Sequence, residues 1–174
     1  MSKKVREQDI IKNLAETHQS VKDEYNHVIE RSNKLEFKIS ILVAVIGVIL
    51  SAVLYHKVPE INVDICISLS VILKVLYALI IALLIIVFVL FLYLLNSTKL
   101  QRINNKELLS RHLDVVSKDI KTYYYFVDTK YINYTTINNE IISKKFAIYD
   151  FTLKLMILVV IILLFYNILD IIWR

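Results

Sequence analysis

The chain has 174 residues, a formal net charge of +5 and 57% hydrophobic residues, with a positive mean hydropathy. One Gly and one Pro leave little material for hairpins, glycine-rich phosphate loops or a β-sandwich, and a single cysteine excludes an internal disulfide or a cysteine-built metal site. The expected class is an all-α integral membrane protein: three transmembrane helices joined to long cytosolic amphipathic, coiled-coil-like helices.

Residues 1–38 mix 8 Lys/Arg with 7 Asp/Glu and hold no apolar core of signal-peptide length, so no cleavable leader is expected. Ile11, Leu14, His18, Val21, Tyr25, Val28, Ser32 and Leu35 recur at alternating three- and four-residue spacing, which predicts a cytosolic helix with a heptad seam. Two seam positions, His18 and Ser32, are polar, so the seam needs partners. Other cytosolic helices of the chain and a neighbouring subunit are both open as that partner.

No breaker separates this helix from a first span at residues 39–55. Within the span Ser40, Ala44, Gly47 and Ser51 fall on one helix face. Small residues let helices approach closely where lipid supplies no hydrophobic drive. The face serves helix packing or a pore, against this chain's other spans or against another protomer.

Residues 56–74 are expected to be an outer loop or interfacial segment, with Lys74 marking the start of the second span. That span, residues 75–95, is the longest apolar run: 21 residues without charge, Pro or Gly. As a helix it is about 31 Å long, matching a hydrocarbon core of roughly 30 Å.

Residues 96–154 hold 10 basic against 6 acidic residues, whereas 56–74 hold two of each. Basic segments stay inside, so both the amino terminus and 96–154 are expected in the cytosol. Leu109, Leu113, Val116, Ile120, Tyr123 and Val127, then Tyr131, Tyr134, Ile137 and Ile141, keep a helical rhythm. They make either one long helix or an antiparallel pair turning near residues 128–133, of which the pair buries more. The third span, residues 155–172, leads to an outer tail at 173–174. Near its outer end stand Asn167 and Asp170; Asp170 is able to pair with Arg174 or Lys74, as a depth-fixing pair or a polar constriction of a pore.

No catalytic constellation, Walker-type loop, nucleophile elbow or metal-ligand spacing appears, so neither enzyme activity nor a metal is expected. The cytosolic cations Arg102, Lys106, Arg111, Lys118, Lys121, Lys144 and Lys145 are candidates for an anionic ligand or lipid headgroups. Topology alone also puts positive charge there, and no nucleic-acid partner is expected.

At the inner edge of the first span, Leu35, Glu36, Phe37, Lys38, Ile39, Ser40, Ile41 and Leu42 resemble the A-D-x-K-A-x-x-L entry of one family. Lys144, Lys145, Phe146, Ala147, Ile148 and Tyr149 resemble its K-K-Y-x-x-L lead-in to the last span. The family is the small transmembrane effector of Pycsar, the bacterial anti-phage system signalled by cyclic CMP or cyclic UMP. The likeness covers most of the chain through span order. It departs in Glu36 for the usual Asp, in Leu35 for a small residue, and in the few glycines of the last span.

Three crossings with an inside start put the carboxyl terminus outside, and a three-helix protomer too thin to enclose a water path is expected to act as a homo-oligomer. The resemblance implies an inner-membrane protein that takes cyclic CMP or cyclic UMP as activating ligand. It implies impaired membrane integrity and abortive infection. The alternatives are a SLATT-type pore-forming effector of another nucleotide-signalled defence system, or a non-pore anchor acting through its N-terminal helix.

Overall fold

The computed structural model describes residues 3–55, 67–96, 99–104 and 120–173. They form three helices: α1, Lys3–Tyr55; α2, Ile67–Asn96; and α3, Ile120–Trp173. Among the described residues there is no strand. The protein is an all-α membrane protein, with three helices long and apolar enough to cross a bilayer.

The 53 residues of α1 run unbroken from the charged amino-terminal stretch into the first span. Gly47 is tolerated mid-helix because one glycine costs roughly 1 kcal/mol among many good helix formers. Helix α2 starts at Ile67, so Lys74 sits inside a helix rather than at its start. Helix α2 therefore begins within the 56–74 segment, because apolar residues such as Val71, Ile72 and Leu73 continue it without a breaker. Pro59 and Cys66 lie outside the described residues.

Helix α3 is a single 54-residue element that passes straight through residues 128–133, where the antiparallel alternative would turn. No Gly or Pro interrupts it. Three of its threonines satisfy their hydroxyls on their own helix: Thr129 donates to the Tyr125 carbonyl at 2.7 Å, Thr136 to that of Ile132 at 3.0 Å and Thr152 to that of Ile148 at 2.8 Å. Such back-bonding removes the competition with the backbone by which Thr favours turns.

The chain divides into two compact units, one of residues 1–34 and 98–144, the other of residues 35–97 and 145–174. Helices α1 and α3 each contribute to both.

In the second unit the three helices form a bundle around Leu35, Ile39, Ile46 and Val53 of α1, Val159 and Tyr166 of α3, and a stripe on α2. That stripe, Leu73, Tyr77, Ile80, Leu84, Val87, Phe91 and Leu94, alternates four- and three-residue steps, the repeat that keeps one face on its partners. Glu36 of α1 meets Lys145 of α3, Tyr77 meets Val53 and Tyr166, and Phe91 meets Tyr149. α1 and α3 therefore run parallel here, with α2 antiparallel to both. The outward residues, among them Val48, Leu54, Val75, Val89, Phe151, Leu164 and Ile171, are large and apolar. An apolar exterior of that extent belongs in lipid.

In the first unit α1 and α3 again run parallel, with His18 against Asp128, 110 residues on. The α1 seam is as expected from Leu14 onward: Leu14, His18 and Val21 are half-buried, and Tyr25, Val28 and Ser32 are buried, while Ile11 is exposed. On α3 the seam departs from expectation by one residue. Val127 and Ile142 are buried, but the positions between them are Thr135 and Asn138, with Tyr134, Ile137 and Ile141 only half-buried. Leu109, Leu113 and Val116 lie outside the described residues.

Candidate functional site

The displaced α3 seam follows from what it holds. The irregular segment 99–104 lies in the first unit, and its backbone polar groups need partners. Asn138, fully buried, supplies both partners to one residue. Its Oδ1 accepts the Gln101 N–H at 2.9 Å, and its Nδ2 donates to the Gln101 carbonyl at 3.0 Å. Tyr25 of α1 adds two more bonds: its hydroxyl donates to the same carbonyl at 3.3 Å and accepts the Ile103 N–H at 3.2 Å. An apolar side chain at 138 would leave the Gln101 N–H unanswered and its carbonyl to Tyr25 alone.

Beside this clamp is an aromatic cluster with a histidine–carboxylate hydrogen bond. His18 Nδ1 lies 2.7 Å from Asp128 Oδ1, both side chains being mostly buried. The imidazole packs against Tyr124 and Tyr131, with centroids 5.3 and 5.8 Å away, and Tyr131 stands edge-on to Tyr25 at 5.3 Å. Burial, then the phenols of Tyr25 and Tyr123 and the Asp128 carboxylate, push the Tyr131 hydroxyl above the usual phenol range and keep it neutral. Two further hydroxyls on this interface, Ser32 Oγ and Thr135 Oγ1, are buried without a hydrogen-bond partner. Among the described residues no three His, Cys, Asp or Glu side chains converge as a metal site would require.

In the second unit the two segments that carry the family resemblance meet. Lys145 Nζ donates to Glu36 Oε1 at 3.4 Å; the lysine is almost wholly enclosed, and the glutamate is about half exposed, at 45%. Lys145 is therefore committed to a carboxylate rather than open to an anionic ligand. Lys38 and Lys144 are exposed. Lys144 lies on an open face of α3 with Thr136, Asn139, Glu140 and Ser143. Arg102 and Lys121 are also exposed, while Lys106, Arg111 and Lys118 lie outside the described residues.

The small-residue face of the first span does not pack inside the protomer. Ser40, Ala44 and Ser51 are exposed, and no neighbour lies within 4 Å of where a Gly47 Cβ would stand. The reason is the seam of α1: Leu35, Ile39, Ile46 and Val53 face the bundle and turn the small residues outward. Both serine hydroxyls are bonded within the helix, Ser40 to the Glu36 carbonyl at 2.9 Å and Ser51 to that of Gly47 at 2.8 Å. At the far end of the third span Asp170 is buried and Asn167 exposed; Lys74 is exposed on α2, and Arg174 lies outside the described residues.

Of these arrangements, the α1 seam, the outward face and the Glu36 and Lys145 residues had a signal in the sequence. Asn138, Gln101 and Thr135 were missed. The signal that finds the last two α3 positions is the heptad read backwards from the membrane: Thr152, Tyr149, Lys145, Ile142, Asn138 and Thr135 follow at steps of three and four. In comparisons with protein-family models, curated protein sequences and solved structures, none matched this chain.

Proposed function

We propose that the chain is a membrane effector of a cyclic-pyrimidine-nucleotide-signalled anti-phage system, which oligomerises in the bacterial inner membrane and breaches it. The observation that carries this reading is the open small-residue face of α1. Among the described residues the second unit has no water path along its axis, because Ile80, Leu84, Val87 and Phe91 fill its centre with fully buried side chains. A breach therefore requires several copies side by side. A smooth face at Ser40, Ala44, Gly47 and Ser51, with its hydroxyls already satisfied, is the kind of surface on which spans associate in lipid.

The open polar face around Lys144, which also carries Glu140, supports a ligand-responsive reading of the first unit. Its lysine suits a cyclic phosphate, and the Asn139 amide and the Thr136 and Ser143 hydroxyls suit a base edge or ribose. The ion pair of Glu36 and Lys145 supports treating the two resemblance segments as one device. The non-pore anchor reading loses its main docking surface, since Tyr25, Val28 and Ser32 are already buried in their own unit.

The test combines two measurements. Titrating purified protein with cyclic CMP and cyclic UMP by calorimetry is expected to give binding heat that Lys144→Glu removes. Gly47→Leu is expected to reduce crosslinked oligomer and preserve membrane potential in expressing cells. A protein that stays monomeric with and without nucleotide, in cells of intact potential, overturns the reading.

A further inference from the structure

On a lipid-facing helix surface a polar side chain is stable only when its hydrogen bonds are made. The outward hydroxyls of the first span meet that condition, since Ser40 and Ser51 both donate to carbonyls of their own helix. The third span holds one outward polar side chain that does not. Between residues 155 and 172, Tyr166 and Asp170 are buried, and Asn167 alone is both polar and exposed. Its amide has no hydrogen-bond partner among the described residues.

Depth and surroundings select what answers it. Asn167 lies six residues, about 9 Å, inside the Trp173 end of α3, which is hydrocarbon rather than headgroup. An acyl chain has neither donor nor acceptor to offer there, so the partner must be protein. Ile157, Val160, Leu164, Asn167 and Ile171 follow one another at three- and four-residue steps and share one face of α3. All but the half-buried Val160 are exposed. Helices pair along such a repeat, and a single Asn in an apolar stripe fixes which residues meet and how many copies join. An open crevice beside Asn167, lined also by Ile49, Ala52 and Leu163, leaves an approaching helix room on that side.

We infer that this face of α3 is a contact between two copies of the chain, in which Asn167 bonds to its own equivalent. Copies inserted with the same topology are related by an axis along the membrane normal, which brings equivalent residues together at equal depth. An amide is self-complementary in that arrangement: each carries a carbonyl acceptor and an NH₂ donor, so two facing amides exchange two bonds. A span of another sequence would need a matching polar group at that one level. The contact adds to the association proposed above and depends neither on the small-residue face of α1 nor on a nucleotide.

The experiment uses the full chain in lipid vesicles, in a Cys66→Ser background, with mild oxidation to trap cysteines that meet. Leu164→Cys and Ile171→Cys, each about one turn from Asn167 on its own face, are expected to give disulfide-linked dimers. Phe165→Cys, on another side of the helix, is expected to stay monomeric. Adding Asn167→Leu, an apolar replacement that suits a lipid-facing position, is expected to lower the Leu164→Cys dimer about tenfold, equivalent to roughly 1.4 kcal/mol. Asn167→Gln keeps the amide and is expected to keep the dimer, and Gly47→Leu is expected to leave it unchanged. Absence of both dimers, equal crosslinking from Phe165→Cys, undiminished crosslinking with Asn167→Leu, or its loss with Gly47→Leu overturns the inference.

Discussion

A lysine enclosed in protein at the edge of a bilayer is stable only while a carboxylate answers it. Lys145 has Glu36, which is itself half in solvent, so the pair is unequal: the cost of breaking it falls on the lysine. Glu36→Gln is expected to destabilise the protein by about 1–3 kcal/mol, less than for a fully buried pair because water screens the glutamate. Lys145→Met removes the stranded charge while keeping the volume. The double variant is therefore expected to melt above Glu36→Gln alone in detergent. A double variant that melts below both singles would show that the charges are not coupled.

At the scale of elements, the parallel pairing of α1 and α3 in the first unit depends on a few polar positions within an otherwise apolar seam. Asn138 answers both polar groups of Gln101, so Asn138→Leu leaves the part-buried N–H unmatched and the carbonyl to Tyr25 alone, at a cost of about 1–3 kcal/mol. Hydrogen exchange at the Gln101 amide is expected to quicken by roughly ten- to a hundredfold, since 1.4 kcal/mol corresponds to a factor of ten. Thr135 sits on the same seam with an unanswered hydroxyl. Thr135→Val keeps the shape and is expected to slow the same exchange or leave it unchanged. Faster exchange in Thr135→Val would mean that its hydroxyl is satisfied after all. Reading α3 by apolar periodicity alone missed this line, because Tyr134, Ile137 and Ile141 offered a greasier stripe one residue away. The actual seam follows hydrogen-bond demand from residues 99–104, about which periodicity carries no information.

For the whole molecule, the proposed topology, with the basic segments kept on one side of the bilayer, puts the amino-terminal helix and the start of α3 in the same compartment. Single cysteines replacing Glu30 and Lys121 in a Cys66→Ser background are then expected to react with an impermeant thiol reagent from the cytosolic face, and one replacing Ile172 only from the opposite face. Labelling of all three from one face would undo the topology and the proposed breach with it.

The sequence by itself determined the class, the three spans and the α1 seam. Span length against bilayer thickness and the spacing of apolar residues along a helix are properties of the chain taken one residue at a time. The tertiary structure decided that Ser40, Ala44, Gly47 and Ser51 face outward, that Lys145 is committed to Glu36, and that Asn138 holds Gln101. Those outcomes depend on which side of each helix its neighbours cover, and coverage is set by segments from 37 to 109 residues apart finding one register.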